Sequence, residues 1–302
     1  MTERQEIRAG RRKITLHRPD KVLFPDDGLT KRDLVEHYRA VSRAMLPQLR
    51  DRPLMMVRHP DGIKRHGVVQ KNVPEHFPDW IHRVELPKQD GTVTHVVCDD
   101  QATLLYLADQ ACVTPHRFLS RADAPDHPDR LIFDLDPSGD AGFEDVRWAA
   151  QRVCDLLEDE LGLPVQLMTT GSSGLHLIVP LDRRAPFDDV REFAGDAASL
   201  LARRHPDRLT VEQRKSARGS RIYLDVQRNA YAQTAVAPYA VRALPGAPVA
   251  MPLARDELDD PGLGARRWTV STAGDRATKS PWSGAPRPRS LQRARRRLAS
   301  AT

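Results

Sequence analysis

Cysteine is scarce in this chain of 302 residues, which contains only Cys98, Cys112 and Cys154. Their wide spacing matches no zinc-binding pattern, and an odd number cannot all pair in internal disulfides. We therefore expect three small buried thiols and a reducing compartment such as the cytoplasm.

Long apolar runs are also lacking. No stretch reaches the roughly 20 apolar residues that a membrane-spanning helix needs, and residues 1–4 do not begin a signal peptide. The sequence therefore predicts a cytoplasmic protein with no membrane partner.

Most of the chain has no excess of positive or negative charge. The formal net charge is +6, but residues 285–302 hold six arginines and no acid, and the rest has 41 basic and 41 acidic residues. A basic terminus is typical of nucleic-acid contact and equally of a solubilising segment. The overall basicity is therefore no evidence that the rest of the chain binds DNA.

Two carboxylates interrupt the apolar run LIFDLDPSGD at residues 131–140. Asp134 and Asp136 are two residues apart, so in a strand both point to one face. Such neighbours repel each other, and a divalent cation with oxygen ligands, Mg²⁺ or Mn²⁺, relieves the repulsion. Asp225, in the strand-like run 221–226, is a third candidate, and three carboxylates on adjacent strands suit a two-metal phosphoryl transfer. The alternative is a set of solvated turn residues.

Helices and strands alternate irregularly along the chain. Thr30 and Asp33 form a capping-box variant before a helix that ends ahead of Pro47. Further segments follow the same kinds of pattern, with helices at 100–111, 143–161 and 190–204 and strands at 165–168, 175–179 and 221–226. This order predicts an α+β (mixed α/β) fold with antiparallel pairing across 165–179.

No clean linker is visible inside the body of the chain. We therefore predict one domain over residues 14–264, preceded by a flexible N-terminus at 1–13. Residues 265–302 are rich in Gly, Pro, Ser and Arg and are predicted to form an irregular basic tail.

The turn 169–174, TTGSSG, offers backbone N–H groups and the hydroxyls of Thr170, Ser172 and Ser173 to an anion. An ordinary hairpin loop is the simpler interpretation of the turn alone. His176 follows in the next strand, where a lone histidine is more often a hydrogen-bonded core residue than a catalyst.

Several cations precede the third carboxylate, and together they suit a triphosphate bound beside a carboxylate metal site. The alternative is a solvated basic face. The cations are Arg214, Lys215, Arg218 and Arg221.

Several strings along the sequence resemble a known family, the polymerase domain of bacterial ligase D. That domain belongs to the archaeo-eukaryotic primase superfamily and acts in non-homologous end joining. The strings that carry the resemblance are FDLDP, TTGSSGLHLIVPL and RIYLDVQRNAYAQTAVAPYAVRALPGAPV, preceded in order by RPDKVLFPDDGLTK, RPLMMVRHPDGI, QKNVPEHFPDW and TPHRFLSR.

The resemblance covers about residues 14–258. It implies a primase-polymerase-like domain with mainly antiparallel sheets flanked by helices. Because no ligase or nuclease segment accompanies it here, it also implies a stand-alone polymerase domain.

The resemblance also implies residue roles. The catalytic and metal-binding residues are Asp134, Asp136 and Asp225. The nucleotide-binding residues are His116, Thr170, Ser172, Ser173, His176, Arg218 and Arg242. The residues that hold a DNA 5′-phosphate are Lys21 and Lys31.

Some positions depart from the family pattern. Ser173 stands where the family commonly has a lysine, and Val68 and Val69 stand where it often has aromatics that could stack on a template base. Arg18 replaces a common asparagine near Lys21. These changes bear on catalytic efficiency and template engagement more than on the fold.

The implied function is metal-dependent addition of nucleotides, with a family preference for ribonucleotides and Mn²⁺, to DNA 3′ ends at double-strand breaks. Expected cofactors are two Mn²⁺ or Mg²⁺ ions, and expected partners are 5′-phosphorylated DNA ends, NTP or dNTP, Ku and a separate DNA ligase, at the nucleoid. One alternative is a catalytically weak DNA-end binder of the same fold. A phosphatase of the haloacid dehalogenase type, suggested by FDLDP, is disfavoured by Ser138 and by the mid-chain position.

Overall fold

The computed structural model describes residues 4–284 and 286–301. Its strands, numbered in chain order, are β1 Arg4–Ala9, β2 Arg12–His17, β3 Val22–Phe24, β4 Leu29–Thr30, β5 Leu54–Arg58, β6 Val68–Gln70, β7 Arg83–Lys88, β8 Gly91–Val96, β9 Cys112–Phe118, β10 Ser120–Arg121, β11 Ala124–Pro128, β12 Arg130–Asp136, β13 Gln166–Thr169, β14 Leu175–Pro180, β15 Leu209–Thr210, β16 Ile222–Asp225, β17 Thr234–Val236 and β18 Pro252–Leu253. Its α-helices are α1 Lys31–Leu49, α2 Gln101–Asp109, α3 Phe143–Cys154, α4 Phe187–Arg204, α5 Ala273–Thr278 and α6 Leu291–Ala301.

These elements form two compact units, each assembled from separate stretches of chain. The first unit holds the described residues of Met1–Phe118, Thr234–Met251 and Trp268–Ser280. The second holds those of Leu119–Gln233, Pro252–Arg267 and Pro281–Thr302. Because the chain passes repeatedly between the units, no linker composition marks their boundary, and one domain over 14–264 was predicted from the sequence.

The second unit is built on a six-stranded sheet in the order β15-β16-β12-β14-β13-β18. Its pairs are antiparallel apart from β15 with β16. The predicted antiparallel pairing across 165–179 is confirmed by β13 and β14. Helix α3 packs on β12 and β14, and α4 packs on β12, so the apolar residues of β12 are buried and the mixed α/β class is confirmed.

A buried asparagine helps to fix the register of β16 against β12. The Asn229 side chain is fully buried. Its Oδ1 accepts the Ile132 N–H at 2.8 Å, and its Nδ2 donates to the Ile132 carbonyl at 2.7 Å. The amide thus satisfies both backbone groups of Ile132 beyond the end of β16.

The first unit carries a four-stranded antiparallel sheet in the order β17-β9-β5-β6, with α1 packed against α2 and α5. The predicted capping box of α1 is confirmed, because Thr30 Oγ1 accepts the Asp33 N–H at 3.3 Å and Asp33 Oδ2 accepts the Thr30 N–H at 2.7 Å. The predicted end before Pro47 is wrong. An interior proline removes one hydrogen bond and crowds the carbonyl four residues earlier, yet the helix continues through Pro47 to Leu49, whose side chain is fully buried.

The N-terminus is more regular than predicted. Residues 4–17 form the antiparallel hairpin β1–β2, and Ile7 and Ile14, which face each other across it, are 8% and 5% exposed. The prediction of a flexible segment is therefore wrong for residues 4–13, because two isoleucines anchor the hairpin to the core. Residues 1–3 lie outside the described residues.

The C-terminal segment is also ordered where it is described. Helices α5 and α6 fall within the predicted irregular tail, so that prediction is wrong there. Leu291, Ala294 and Leu298 recur at helical spacing, are buried and bring α6 against α4. The arginine-rich composition masked this short apolar stripe. Ala285 and Thr302 lie outside the described residues.

The three cysteines are free and buried, as predicted. Burial raises the pKa of the Cys112 thiol to about 12, which keeps it protonated and unreactive. Across 4–284 and 286–301, no helix is both long and apolar enough to cross a bilayer.

A buried histidine in α1 predicts an acid-sensitive fold. His37 Nε2 lies 2.9 Å from the Tyr239 carbonyl oxygen, and burial lowers the pKa of His37 from 6.5 to about 4. Because the folded-state pKa is depressed, the neutral ring stabilises the fold above about pH 6.5. That contribution, on the order of 3 kcal/mol, is lost as the pH falls toward 4.

The measurement is urea unfolding at about pH 7 and pH 4 for the wild type and for His37→Gln, whose amide can still bond the Tyr239 carbonyl. We expect the free energy of unfolding to fall less with acid in the variant. An identical fall in both proteins would contradict the assignment to His37.

Candidate active site

The three candidate carboxylates meet on adjacent strands of the second unit. In the β12–β16 register Asp134 lies directly opposite Asp225, and on the other side of β12 it lies opposite His176 of β14. Cross-strand partners point to the same face, and Asp136 shares that face because it is two residues along β12. One carboxylate oxygen from each aspartate lies within 4.8 Å of the others.

The electrostatics of this cluster are those of a site that needs a cation. Asp134 is only 5% exposed. Burial, followed by repulsion from Asp134 and Asp225, raises the pKa of Asp136 to about 6. Oxygen donors alone suit hard divalent ions, so the residues fit Mg²⁺ or Mn²⁺.

A histidine and an arginine side chain lie next to the Asp134 carboxylate. His176 Nε2 is 3.4 Å from Asp134 Oδ2, and Arg228 Nε is 3.7 Å from the same oxygen. His176 is buried, at 3% exposure. It therefore lies in the carboxylate cluster and is not an unrelated core histidine.

The turn between β13 and β14 lies against the end of β12. Thr170 Oγ1 accepts the Ser172 and Gly174 N–H groups at 3.3 and 3.1 Å, so these two donors shape the turn and are not available to an anion. At Gly174 a Cβ atom would lie 2.0 Å from the Leu135 carbonyl oxygen and 3.7 Å from Asp136 Oδ1. Only glycine permits this approach, which puts the turn beside the carboxylates.

Comparison with known proteins agrees with this geometry. The family model described as LigD, primase-polymerase domain, matches residues 30–282. The chain belongs to the LigD primase-polymerase family. The predicted resemblance to the polymerase domain of ligase D is thereby confirmed.

Individual relatives give the same result. The LigD non-homologous end joining DNA repair protein of Mycobacterium tuberculosis H37Rv is 33% identical over 263 residues, which cover 84% of this chain and 34% of that protein. The LigD protein of Pseudomonas aeruginosa is 31% identical over 280 residues, covering 91% of this chain and 33% of that protein. The chain thus spans about a third of the length of these curated relatives.

A solved structure confirms the fold. The polymerase domain from Mycobacterium tuberculosis ligase D in complex with DNA superposes with a TM-score of 0.85 at 31% identity. The match covers 90% of this chain and 99% of that one. The primase-polymerase-like architecture predicted from the sequence is therefore shown.

Arg218 of this LigD-type chain is held in place before any ligand binds. Its Nε donates to the Glu212 carbonyl at 2.9 Å and one terminal nitrogen to the Gln213 carbonyl at 2.7 Å. Its guanidinium lies 3.8 Å from the centre of the Tyr223 ring, and Tyr223 faces Asp136 across the β12–β16 pair. The side chain is 7% exposed, so it contributes a fixed positive charge near the carboxylates.

The remaining predicted residues fall in the first unit, and their roles stay predictions. His116 lies on β9, and Arg242 follows β17. Lys21 is paired with Asp61, Nζ to Oδ1 at 3.1 Å. Lys31 is buried, and its Nζ donates to the His17 carbonyl at 2.6 Å and pairs with Asp109 at 3.3 Å.

Sequence reasoning missed three residues of the site in the second unit. Arg228 and Tyr223 flank Asp225, and their proximity to it in sequence was the available signal. Arg266, whose Nε donates to the Ser172 carbonyl at 2.8 Å, lies 94 residues from the turn and gave no such signal.

Replacing the two lysines predicted to hold a 5′-phosphate should lower the stability of the protein by different amounts. Lys31→Ala leaves Asp109, whose side chain is 1% exposed, without its lysine, so we expect a loss of about 3 kcal/mol in the free energy of unfolding. Lys21→Ala removes a pair whose aspartate is 74% exposed and should cost less than about 1 kcal/mol.

Urea unfolding of both variants checks this expectation, and equal losses would contradict it. A DNA-binding test of the 5′-phosphate role should therefore use Lys21→Ala, on gapped DNA with and without the phosphate.

Proposed function

We propose that this chain is a metal-dependent nucleotidyltransferase that adds nucleotides to DNA 3′ ends at double-strand breaks in non-homologous end joining. The observation that carries the proposal is the convergence of Asp134, Asp136 and Asp225 within 4.8 Å beside the 169–174 turn. Membership of the LigD primase-polymerase family supports it.

Asp134, Asp136 and Asp225 would hold the Mn²⁺ or Mg²⁺ ions. Bound there, such ions would lower the pKa of the attacking 3′-hydroxyl and neutralise the charge of the triphosphate. His176 and Arg228 fix the Asp134 carboxylate by their contacts with Oδ2. We assign Arg218, the turn hydroxyls, His116 and Arg242 to the nucleotide, and Lys21 and Lys31 to the 5′-phosphate of the DNA.

Other parts of the proposal follow from the family. Ribonucleotides and Mn²⁺ are the expected preferences, Ku and a separate DNA ligase the expected partners, and the cytoplasmic nucleoid the expected location. A DNA-end binder without catalysis is the second candidate, favoured by the exposed Val68 and Val69 at 49% and 61%, which offer no ring to a template base.

The deciding experiment is extension of a labelled primer on gapped, 5′-phosphorylated DNA with each NTP and dNTP and with Mn²⁺ or Mg²⁺. The proposal expects metal-dependent extension by the wild type and none by Asp225→Asn. DNA binding without extension under every condition would favour the binding protein instead.

The outer face of α6 should contribute to non-specific DNA binding. Arg293 and Arg296 are exposed. Arg295 donates to the Asp189 carbonyl at 2.6 Å and Arg297 to the Glu160 carbonyl at 3.2 Å. Since each phosphate contact contributes a log–log salt slope of about 0.9 on duplex DNA, Arg293→Gln/Arg296→Gln should flatten the slope by about 2.

The matched control is Arg295→Gln/Arg297→Gln, which removes the same charge from the inner side of the helix and should change the slope less. Deleting α6 would not be a clean test, because its removal would uncover the apolar surface of α4. Equal slope changes in both pairs would show that total charge, and not the exposed face, controls binding.

A further inference from the structure

Arg266 is a cationic side chain that is hydrogen-bonded to the 169–174 turn. Its Nε donates to the Ser172 carbonyl at 2.8 Å, and both residues belong to the second unit. Arg266 is exposed, and in the described part of the chain its two terminal nitrogens bond no other group. A guanidinium held through Nε keeps these terminal N–H groups for an anion.

The turn itself supplies further donors next to this guanidinium. Thr170 Oγ1 accepts hydrogen bonds from the N–H groups of Ser172 and Gly174. The N–H groups of Gly171 and Ser173 donate to no group among the described residues. Gly171 has a φ of 68°, a left-handed conformation found in anion-binding turns. Gly171 is buried and Ser173 is exposed, so the turn offers an anion at least the Ser173 N–H and hydroxyl beside one cation.

The position of the turn defines what anion it suits. Gly174 packs on the Leu135 carbonyl next to Asp136, so an anion on the turn lies beside three carboxylates that repel it. A nearby fixed cation offsets that repulsion. The chemistry fits a polyphosphate that also shares the metal ions of the carboxylates.

Other cations near this part of the chain are less suited to the turn. Arg218 is bonded to the Glu212 and Gln213 carbonyls and stacked on Tyr223. Arg267, the neighbour of Arg266, is paired with Asp260. Arg228 lies against Asp134, and Ser173 carries no charge of its own, whereas Arg266 is bonded to the turn itself.

We propose that Arg266 binds the triphosphate of the incoming nucleotide and acts as the cation of the 169–174 turn. The inference rests on the proposed nucleotidyltransferase function. It adds a residue remote in sequence to the nucleotide site.

The test is equilibrium binding of ATP, AMP and adenosine in the presence of Mn²⁺, measured without DNA. Arg266→Gln should raise the Kd for ATP by about tenfold or more, the effect of losing a charge-assisted hydrogen bond. The loss should be smaller for AMP and absent for adenosine. In primer extension the same variant should raise KM for the nucleotide more than it lowers kcat.

Arg267→Gln is the matched control, since it removes the same charge one residue away and should leave the Kd for ATP unchanged. Ser173→Lys should restore ATP binding in the Arg266→Gln background and add little to the wild type. Unchanged ATP affinity in Arg266→Gln, or an equal loss for ATP and adenosine, would overturn the proposal. Wild-type ATP binding without extension would refute the polymerase function and leave the Arg266 assignment standing.

Discussion

Asp134→Asn and Asp136→Asn are each expected to lower nucleotide addition by about 10³-fold or more. Each change removes a negative ligand from a cluster whose carboxylate oxygens lie within 4.8 Å. Metal ions held by such carboxylates supply several kcal/mol of transition-state stabilisation, and each 1.36 kcal/mol corresponds to a factor of ten in rate. Primer extension at saturating nucleotide measures the loss.

The Asp136 variant should at the same time be more stable than the wild type without metal. The pKa of Asp136 is raised to about 6 by burial and by Asp134 and Asp225. A folded-state pKa above the ordinary value means that the stability of the fold falls as the pH rises from about 4 through 6. Asp136→Asn removes this penalty, so its gain should be about 1–2 kcal/mol near pH 8 and small near pH 4.

A combined loss of activity and gain of stability distinguishes a metal site from a structural one. Mn²⁺ should raise the melting temperature of the wild type and not that of Asp136→Asn. Asp140→Asn is the control, since Asp140 is exposed on the following turn and should behave like the wild type in both assays. Retained extension in both cluster variants would contradict the polymerase function.

The strands of the candidate active site were predictable because their signals are local. The alternation in LIFDLD and in RIYLDV places the aspartates on strand faces from a few residues alone. The pairing of these strands was inferred as well, since three carboxylates make chemical sense together. The register that sets Asp134 opposite Asp225 needed the structure.

Features that depend on distant residues were not predictable in this way. The burial of Lys31 depends on Asp109, 78 residues away, and the sequence showed only a lysine at the start of a helix. The attachment of Arg266 to the turn joins residues 94 positions apart. The order of α6 depends on a three-residue apolar stripe against α4, which its arginines concealed.

Gly174 is the glycine that brings the turn to the carboxylates. A Cβ atom at Gly174 would lie 2.0 Å from the Leu135 carbonyl oxygen. The clash is with a backbone atom, so no flexible side chain can move aside to relieve it. Gly174→Ala must therefore push the turn away from β12. We expect a loss of about 1–3 kcal/mol in the free energy of unfolding, as for overpacked cores.

The functional effect of Gly174→Ala should exceed what this destabilisation alone would cause. A displacement of about 1 Å in groups that position a substrate costs on the order of 100-fold in rate, and Thr170, Ser172 and Arg266 would move with the turn because they are bonded to it or to one another. We therefore expect kcat/KM for the nucleotide to fall by about that factor at a temperature where the variant remains folded.

Gly195→Ala is the matched control, because Gly195 lies within α4 and its Cβ would meet no heavy atom within 4 Å. Alanine there should stabilise the helix by up to about 1 kcal/mol and leave extension unchanged. If Gly174→Ala kept wild-type nucleotide kinetics, the contact between the turn and β12 would not position the substrate. If it lost extension and kept wild-type affinity for ATP, the displaced turn would act on the metal-bound reaction centre through Asp136 and not on the triphosphate.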